Sequence, residues 1–428
     1  MVTTPLRQAL MTDDTHDDDT NRNSPNSASN CTAGSPQPTR TTRRGAMKAL
    51  GALSFGSIVA TKGARAQSSD RVSKSLARAM AEAKVEQLAG DDELQKWNRT
   101  DVGSATLFKL PVSENSTTNF EPAVYVFPVT NEKGHIVISA RKQLPPVLGY
   151  GTSPAPQSRL RRLSNSAIHD SLTFDETLLY LGGMSYGVAA TDPTAGDDEQ
   201  TRFVDLRTGH ARPLPTVSGI HRFESSTHGA KTEWRTVQEA SPEQHVRQIG
   251  IQRSTDEDVP GVPNWTEGDT DDSWNEWDGC SPIAASMAIG HHEGTSYSDR
   301  DALIDSLHQK MSTRDVPGAG SGLTIPGDIP RGIRKYDSGD NDYESPENNF
   351  VDVGLTRPEQ TKNQIDDGNP LLLSTMPLDV SLVGHTETVV GYDDASNFYY
   401  KCHDTYGGTS WIRHKNWLTG FTTPVTPA

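Results

Sequence analysis

The chain has 428 residues, with 40 Lys and Arg against 56 Asp and Glu and a net charge of −16. That length holds two domains of ordinary size. An acidic chain without a basic patch is not built for nucleic acid, whose phosphates require clustered Lys and Arg, and three cysteines (Cys31, Cys280 and Cys402) exclude a disulfide framework.

Residues 1–41, rich in Asp, Ser, Thr and Asn with almost nothing to bury, are expected to be a disordered leader. Residues 42–66 read as a twin-arginine secretion signal: Thr42-Arg43-Arg44-Gly45-Ala46-Met47-Lys48, an apolar run from Ala49 to Ala60, then Ala64-Arg65-Ala66 with cleavage after Ala66. The apolar run is shorter than the roughly 20 residues of a membrane span. The expectation is a secreted mature chain with no membrane span. Removing residues 1–66 leaves 32 Lys and Arg against 51 Asp and Glu, a charge of −19. Such acidity is similar to that of secreted proteins of salt-loving archaea, whose carboxylate surfaces keep them hydrated in brine.

Between 70 and 89, Val72, Leu76, Met80, Val85 and Leu88 give one apolar helix stripe, and Gly90 offers a stop. Residues 107–112, 122–129, 135–140 and 147–150 then read as strands between turn residues, with further short strands at 178–188 and 203–206. Residues 67–240 are therefore expected to be an α+β region. Residues 241–262 are polar, carry Asp256-Glu257-Asp258 before Pro260, and read as a linker to a second domain over 263–428.

That second domain opens on DGCSPIAASMAIGHHE, residues 278–293. Ser281 and Pro282 favour a helix start directly after Cys280, because a proline in the first turn loses no hydrogen bond. Unpaired amides and the helix dipole would there stabilise a thiolate, lowering a cysteine pKa from about 8.5 into roughly the 3.5–7.5 range, and could receive a developing oxyanion. Ala284, Ala285, Ser286, Ala288 and Gly290 allow close approach by neighbouring strands, so the helix is expected to be central and buried. On the cysteine alone, a small core hydrophobe is the competing reading. Residues 317–328, rich in Gly and Pro, read as a surface loop bordering the cleft, and 337–349 as a solvated acidic loop without the pattern of a calcium loop.

Two strand-like runs, 386–392 and 398–402, flank the turn-rich Asp393-Asp394-Ala395-Ser396-Asn397 and read as a hairpin. A turn centred between Asp394 and Ala395 gives opposed residues an index sum of 789 and sets His385 opposite Asp404, with Cβ atoms about 4.5–5.5 Å apart. A carboxylate there would accept the imidazole N–H and leave the other nitrogen for a thiol. A one-residue slip would pair His385 with His403 or Thr405 instead. Cys402 is expected to be a packing residue.

These segments together resemble a papain-like cysteine peptidase. The Gly-Cys-x-Pro helix start, the GHTETVVGYDD strand and a downstream Asp before Gly407-Gly408 are most similar to the branch related to bacteriocin-processing, double-glycine-leader peptidases. GHIVISARKQLPPVLGY is similar to a segment of streptopain-type proproteins, where a strand leads into an LGY run; this resemblance implies that residues 67 to about 165 of the N-terminal region are a prodomain covering the cleft, with a plain accessory domain as the open alternative. The resemblance implies an α+β fold whose central helix carries the cysteine against an antiparallel sheet, preceded by a smaller α+β domain. It implies Cys280 as nucleophile, His385 as general base and acid and Asp404 as orienting carboxylate, acting through a thioester on a peptide or protein substrate.

Two features depart from it. Papain-like enzymes place a glutamine a few residues before the nucleophile, whereas Trp274-Asn275-Glu276-Trp277 holds none, leaving Asn275 as the candidate oxyanion donor. Glu387 also shares the His385 face, where it would raise the histidine pKa or bind a substrate cation. An inactive peptidase-fold binding module, or an amidase or acyl transferase on the same triad, stay open as rivals. His291-His292-Glu293 lacks the His-Glu-x-x-His spacing of a zinc hydrolase. No metal and no cofactor are expected, and the chain is expected to act as a monomer.

Overall fold

Ser73 accepts the backbone N–H of Leu76 and starts helix α1, Lys74–Leu88, at the position the apolar stripe implies. The computed structural model describes residues 70–89, 94, 96–114, 117–129, 134–164, 172–182, 185–195, 201–207, 209, 211–214, 227–239, 257–266, 279–296, 298–316, 320–336, 342–344, 358–377, 384–394, 397–414 and 418–428. The leader, the signal segment, most of the expected linker and Asn275 lie outside the described residues. Ala77, Met80, Ala81, Val85 and Leu88 of α1 are buried in a cluster with Phe127, Ile136, Ile138, Tyr399 and Trp411.

Four strands follow α1 as expected: β1 Thr106–Glu114, β2 Thr117–Pro128, β3 His135–Ser139 and β4 Val147–Gly151, an antiparallel meander. Short helix α2, Leu160–Ser164, precedes a second run, β5 Thr173–Gly182, β6 Ser185–Thr191, β7 Thr201–Asp205 and β8 Ala211–Pro213, which joins β1 through parallel pairing of β5. Helix α3, Thr227–Glu239, buries Trp234, whose indole Nε1–H donates to the Leu144 carbonyl at 2.8 Å. Of the expected linker, Glu257–Asp258 form strand β9, and Val259 and Val262 are buried.

The C-terminal part packs helices α4 Cys280–Glu293, α5 Arg300–Lys310, α6 Asp328–Arg334 and α7 Pro358–Asp366 with a sheet of β13 Leu371–Pro377, β14 His385–Asp393, β15 Tyr399–His403, β16 Thr409–Arg413 and β17 Leu418–Pro424. Two small ladders complete it, β10 Arg314–Val316 with β11 Gly320–Leu323 and β12 Tyr343–Glu344 with β18 Thr426–Pro427. The stretch expected to be pure loop at 317–328 thus includes a strand. Helix α4 is buried from Ser281 to Gly290, as its small residues require.

β16 pairs antiparallel with β4, Trp411 opposite Tyr150, and the two rings stack at 5.0 Å. Fourteen strands of the described residues therefore form one sheet, in the order β17-β13-β14-β15-β16-β4-β3-β2-β1-β5-β6-β7-β8 with β9 beside β14. This α+β arrangement is the fold class expected from the sequence, and it joins β4 of the N-terminal region to β16, the strand that follows the hairpin carrying His385.

The hairpin register differs from expectation. Thr388 faces His403 and Val389 faces Cys402, an index sum of 791 rather than 789. A bulge between Val389 and Gly391 adds a residue, and β9 docks against Gly391, where a side chain would overlap Asp258. His385 is consequently not the ladder partner of Asp404; continuing the register by one position sets Glu387 there.

Candidate active site

Gly279 has φ 84° and ψ 147°, and a Cβ on it would overlap the Gly322 carbonyl. Only glycine fits both demands, and the close approach sets β11 beside the first turn of α4. Cys280 begins that helix, half-buried, where unpaired amides and the positive end of the dipole face an anion. Its Sγ lies 3.4 Å from the backbone N of Thr386, whose N–H points at the sulfur. A chain of hydroxyls fixes this contact: Ser281 to Thr386 at 2.9 Å and Thr386 to Ser374 at 3.0 Å, all three buried. Thr388 Oγ1 donates to the Ala284 carbonyl at 2.8 Å, so β14 is tied to α4 twice on one face.

Cys280 and His385 open onto one cleft, walled by Gly322, Thr324, Ile325 and Pro326 on one side and by Ser374 and Gly384 on the other. The 317–328 stretch does border the cleft. Ile325, 41% exposed, stands at its rim.

The His385 ring is buried and stacks on Tyr406 at 5.4 Å with 16° between planes. Its Nε2 is 3.4 Å from Glu387 Oε1, and neither atom has a hydrogen-bond partner among the described residues. Asp404 reaches the imidazole through a backbone hydrogen bond. Its carboxylate is engaged elsewhere: Oδ1 accepts the N–H groups of Tyr406 at 3.0 Å and Gly408 at 2.8 Å, and Oδ2 accepts the Ser153 hydroxyl at 2.6 Å. The carboxyl oxygen that faces the ring is thus that of Glu387, while Asp404 acts on it through backbone and charge.

Burial sets the charge state of this cluster. It holds the His385 pKa at about 3, with the Arg207 guanidinium adding to the depression and Asp404 opposing it. Burial also lifts the Glu387 carboxyl to about 8, against the pull of Arg207. Asp404 stays below the usual carboxylate value despite burial, because Arg207 and the hydrogen bonds from Ser153, Gly408 and Tyr406 favour its anion. Burial therefore favours the neutral imidazole and the protonated Glu387, while the partners of Asp404 favour its anion.

The other sequence candidates fall into structural roles. His292 Nε2 lies 3.1 Å from the Val425 carbonyl, and Glu293 accepts the hydroxyls of Tyr336 and Tyr343, each at 3.2 Å. Cys402 is fully buried, and neither Cys280 nor Cys402 is in a disulfide. Asn275, the candidate oxyanion donor, lies outside the described residues. Among the described residues no helix is long and apolar enough to cross a membrane, and no group of three or more His, Cys, Asp and Glu side chains is placed to hold a metal.

Comparison with known families fits this geometry. Residues 257–420 match the Peptidase_C39 like family. Residues 69–163 match the Spi protease inhibitor family. No curated protein matches the chain. The C39-like segment contains Cys280, His385, Glu387 and Asp404, and it has the papain-type α+β arrangement: a cysteine-bearing helix against an antiparallel sheet. Its family points to a cysteine peptidase and a peptide substrate. Ser153 belongs to the inhibitor-like segment, and Arg207 to the stretch between the two matches.

Ser153, Arg207, Tyr406 and Thr386 were not singled out by sequence. Thr386 had a local signal, its position beside His385. Ser153 and Arg207 had none, because their roles arise from pairing between β16 and β4 and from the extended sheet beyond it.

Proposed function

We propose that this chain is a secreted papain-like cysteine peptidase in which Cys280 attacks a peptide carbonyl, His385 serves as general base and then acid, and Asp404 positions the imidazole. What carries this reading is the half-buried Cys280 at a helix N-terminus sharing a cleft with His385, with the Thr386 N–H on its sulfur. His385 would take the thiol proton and return it to the leaving amine, the thioester would be hydrolysed by water, and the amides of the first turn of α4, with Asn275, would hold the oxyanion. Glu387 Oε1, the carboxyl oxygen facing Nε2, is a second candidate for the orienting role.

The N-terminal region is proposed to be a prodomain that keeps the enzyme quiet until removed. The inhibitor-family match and the Ser153 hydrogen bond to Asp404 support this. Export through the twin-arginine signal and activity in brine are proposed from residues 42–66 and from the acidic balance of the rest.

The test compares wild type with Cys280→Ala and His385→Ala on casein in high salt, following self-cleavage between residues 240 and 260. Loss of casein hydrolysis and self-cleavage in both variants is expected. Hydrolysis that survives Cys280→Ala would end the proposal.

A further inference from the structure

We infer that Arg207 is a positioning residue for the proposed Cys280 and His385 pair: its guanidinium, inserted into the buried cluster around the imidazole while the N-terminal region is docked, adds to burial in opposing an imidazolium, and so opposes the thiolate of Cys280. This rests on the peptidase reading for its meaning, though its test does not use hydrolysis.

Arg207 comes directly after β7 and Leu206, in a stretch that neither family match covers. Its own backbone N–H donates to Asp205 Oδ1 at 2.7 Å, fixing the turn from which the side chain departs. The guanidinium lies over the Tyr406 ring at 4.7 Å and the Tyr186 ring at 5.6 Å, with Nη1 3.9 Å from Glu387 Oε1. The side chain is 7% exposed, and Nη1 has no hydrogen-bond partner among the described residues. A cation so placed is not a surface charge resting on the protein. It is inserted into the cluster that surrounds His385.

Among the described residues, the groups facing the imidazole are few. Glu387 stands on its own strand, Asp404 at the end of β15, Tyr406 in the following turn, Cys280 on α4 across the cleft, and Arg207 enters from the β7 side. Farther back, Arg159 lies over Tyr406 at 5.4 Å and Arg212 over Phe203 at 4.4 Å. Of the two nearby carboxyls, Glu387 is buried, which disfavours its anion, and its Oε1 is shared with Arg207 at 3.9 Å, while Asp404 already serves Ser153, Tyr406 and Gly408. Arg207 then tips the balance against a second cation.

A thiol of the papain type is activated when its proton resides on the imidazole, giving a thiolate and imidazolium side by side. The guanidinium opposes the second half of that pair and therefore the first. Release of the segment that carries Arg207 would lift the opposition without any change in the C39-like segment itself.

The full chain is alkylated with iodoacetamide between pH 5 and 8, and labelling at Cys280 is read by mass spectrometry, separately from Cys31 and Cys402. Arg207→Met and Arg207→Gln are expected to raise the Cys280 rate at pH 6 by about tenfold, the effect of one pKa unit, while Arg207→Lys, which keeps the charge, stays at the wild-type rate. Equal rates in wild type and both neutral variants, or a gain in Arg207→Lys as large as in Arg207→Met, overturn the inference. Should one neutral variant not fold, the other decides, and an imidazolium at His385 at pH 6 in a histidine NMR titration of the wild-type full chain overturns the inference outright. Cys280-dependent casein hydrolysis with unchanged alkylation would leave the peptidase reading standing and this one fallen; faster alkylation without any hydrolysis would do the reverse.

Discussion

The Ser153 hydroxyl donates to Asp404 Oδ2 at 2.6 Å, joining residues 251 positions apart in the chain. Gly408 makes the approach possible, since a Cβ there would overlap the Ser153 hydroxyl, and its N–H takes the other carboxylate oxygen. One buried anion is thereby held by the inhibitor-like segment and by the turn of the C39-like segment together.

Ser153→Ala should therefore destabilise the full chain by about 1.5–3 kcal/mol, the range for a hydrogen bond to a charged group. The Asp404 pKa is lowered in the folded state, so this stabilisation is present above the unfolded carboxylate value and is lost as pH falls through the folded one. Urea denaturation of wild type and variant at pH 7 and at pH 3 checks both parts: a full difference at neutral pH, and a smaller one in acid.

Glu387 and His385 give opposed pH dependences. The folded Glu387 keeps its proton up to about pH 8 while the unfolded one loses it near 4.3, so stability falls as pH rises through that window. The folded His385 stays neutral down to about pH 3 while the unfolded one charges near 6.5, so stability falls as pH drops through that window. Between about pH 4.5 and 6.5 the two slopes offset each other, and between 6.5 and 8 only the Glu387 decline is left. Glu387→Gln should remove the decline between pH 6.5 and 8, seen as a melting temperature that no longer falls over that range. A variant that melts with the wild-type pH dependence would show that Glu387 is ionised in the fold.

Much of this architecture is legible in the sequence because local chemistry specifies it. The apolar stripe from Val72 to Leu88 and the Gly279-Cys280-Ser281-Pro282 start each announce an element at the place it occupies. The register of the His385 hairpin was not legible, because its bulge sits where β9 docks on Gly391, and β9 is more than 130 residues away in sequence. For the same reason Glu387 read as an anomaly on the His385 face, whereas the structure makes it a buried carboxyl beside the ring, its anion disfavoured by that burial. Local pattern finds the proposed nucleophile and the proposed base. What surrounds the base is a long-range property of the sheet.

Gly279→Ala tests whether the N-terminus of α4 tolerates any side chain. The residue combines a left-handed φ of 84° with a backbone neighbour, Gly322, that has no flexible end to move aside. The strained conformation alone costs about 1–3 kcal/mol, and overlap with a carbonyl adds to it. The variant should lose most of its soluble expression, or melt far below wild type, while Gly327→Ala, a position where a Cβ meets nothing within 4 Å, should not. Equal melting temperatures would mean that β11 does not press on the first turn of α4.

Asp404 and Glu387 make separable contributions to the imidazole, and paired substitutions distinguish them. Asp404→Asn removes a neighbour whose anion is favoured but keeps the backbone hydrogen bond to His385; Glu387→Gln removes a carboxyl whose anion burial disfavours. If Asp404 is the positioning residue, Asp404→Asn should lower kcat on a peptide substrate by about tenfold to a hundredfold, with KM little changed, because the loss falls on the proton-transfer step and not on substrate contacts. Glu387→Gln should then keep activity near wild type, since an amide oxygen still faces Nε2. The opposite ranking would move the orienting role to Glu387. Measuring both variants after removal of the N-terminal region, at pH 6 and pH 8, separates this effect from the Ser153 and Arg207 contacts, which the released domain no longer makes.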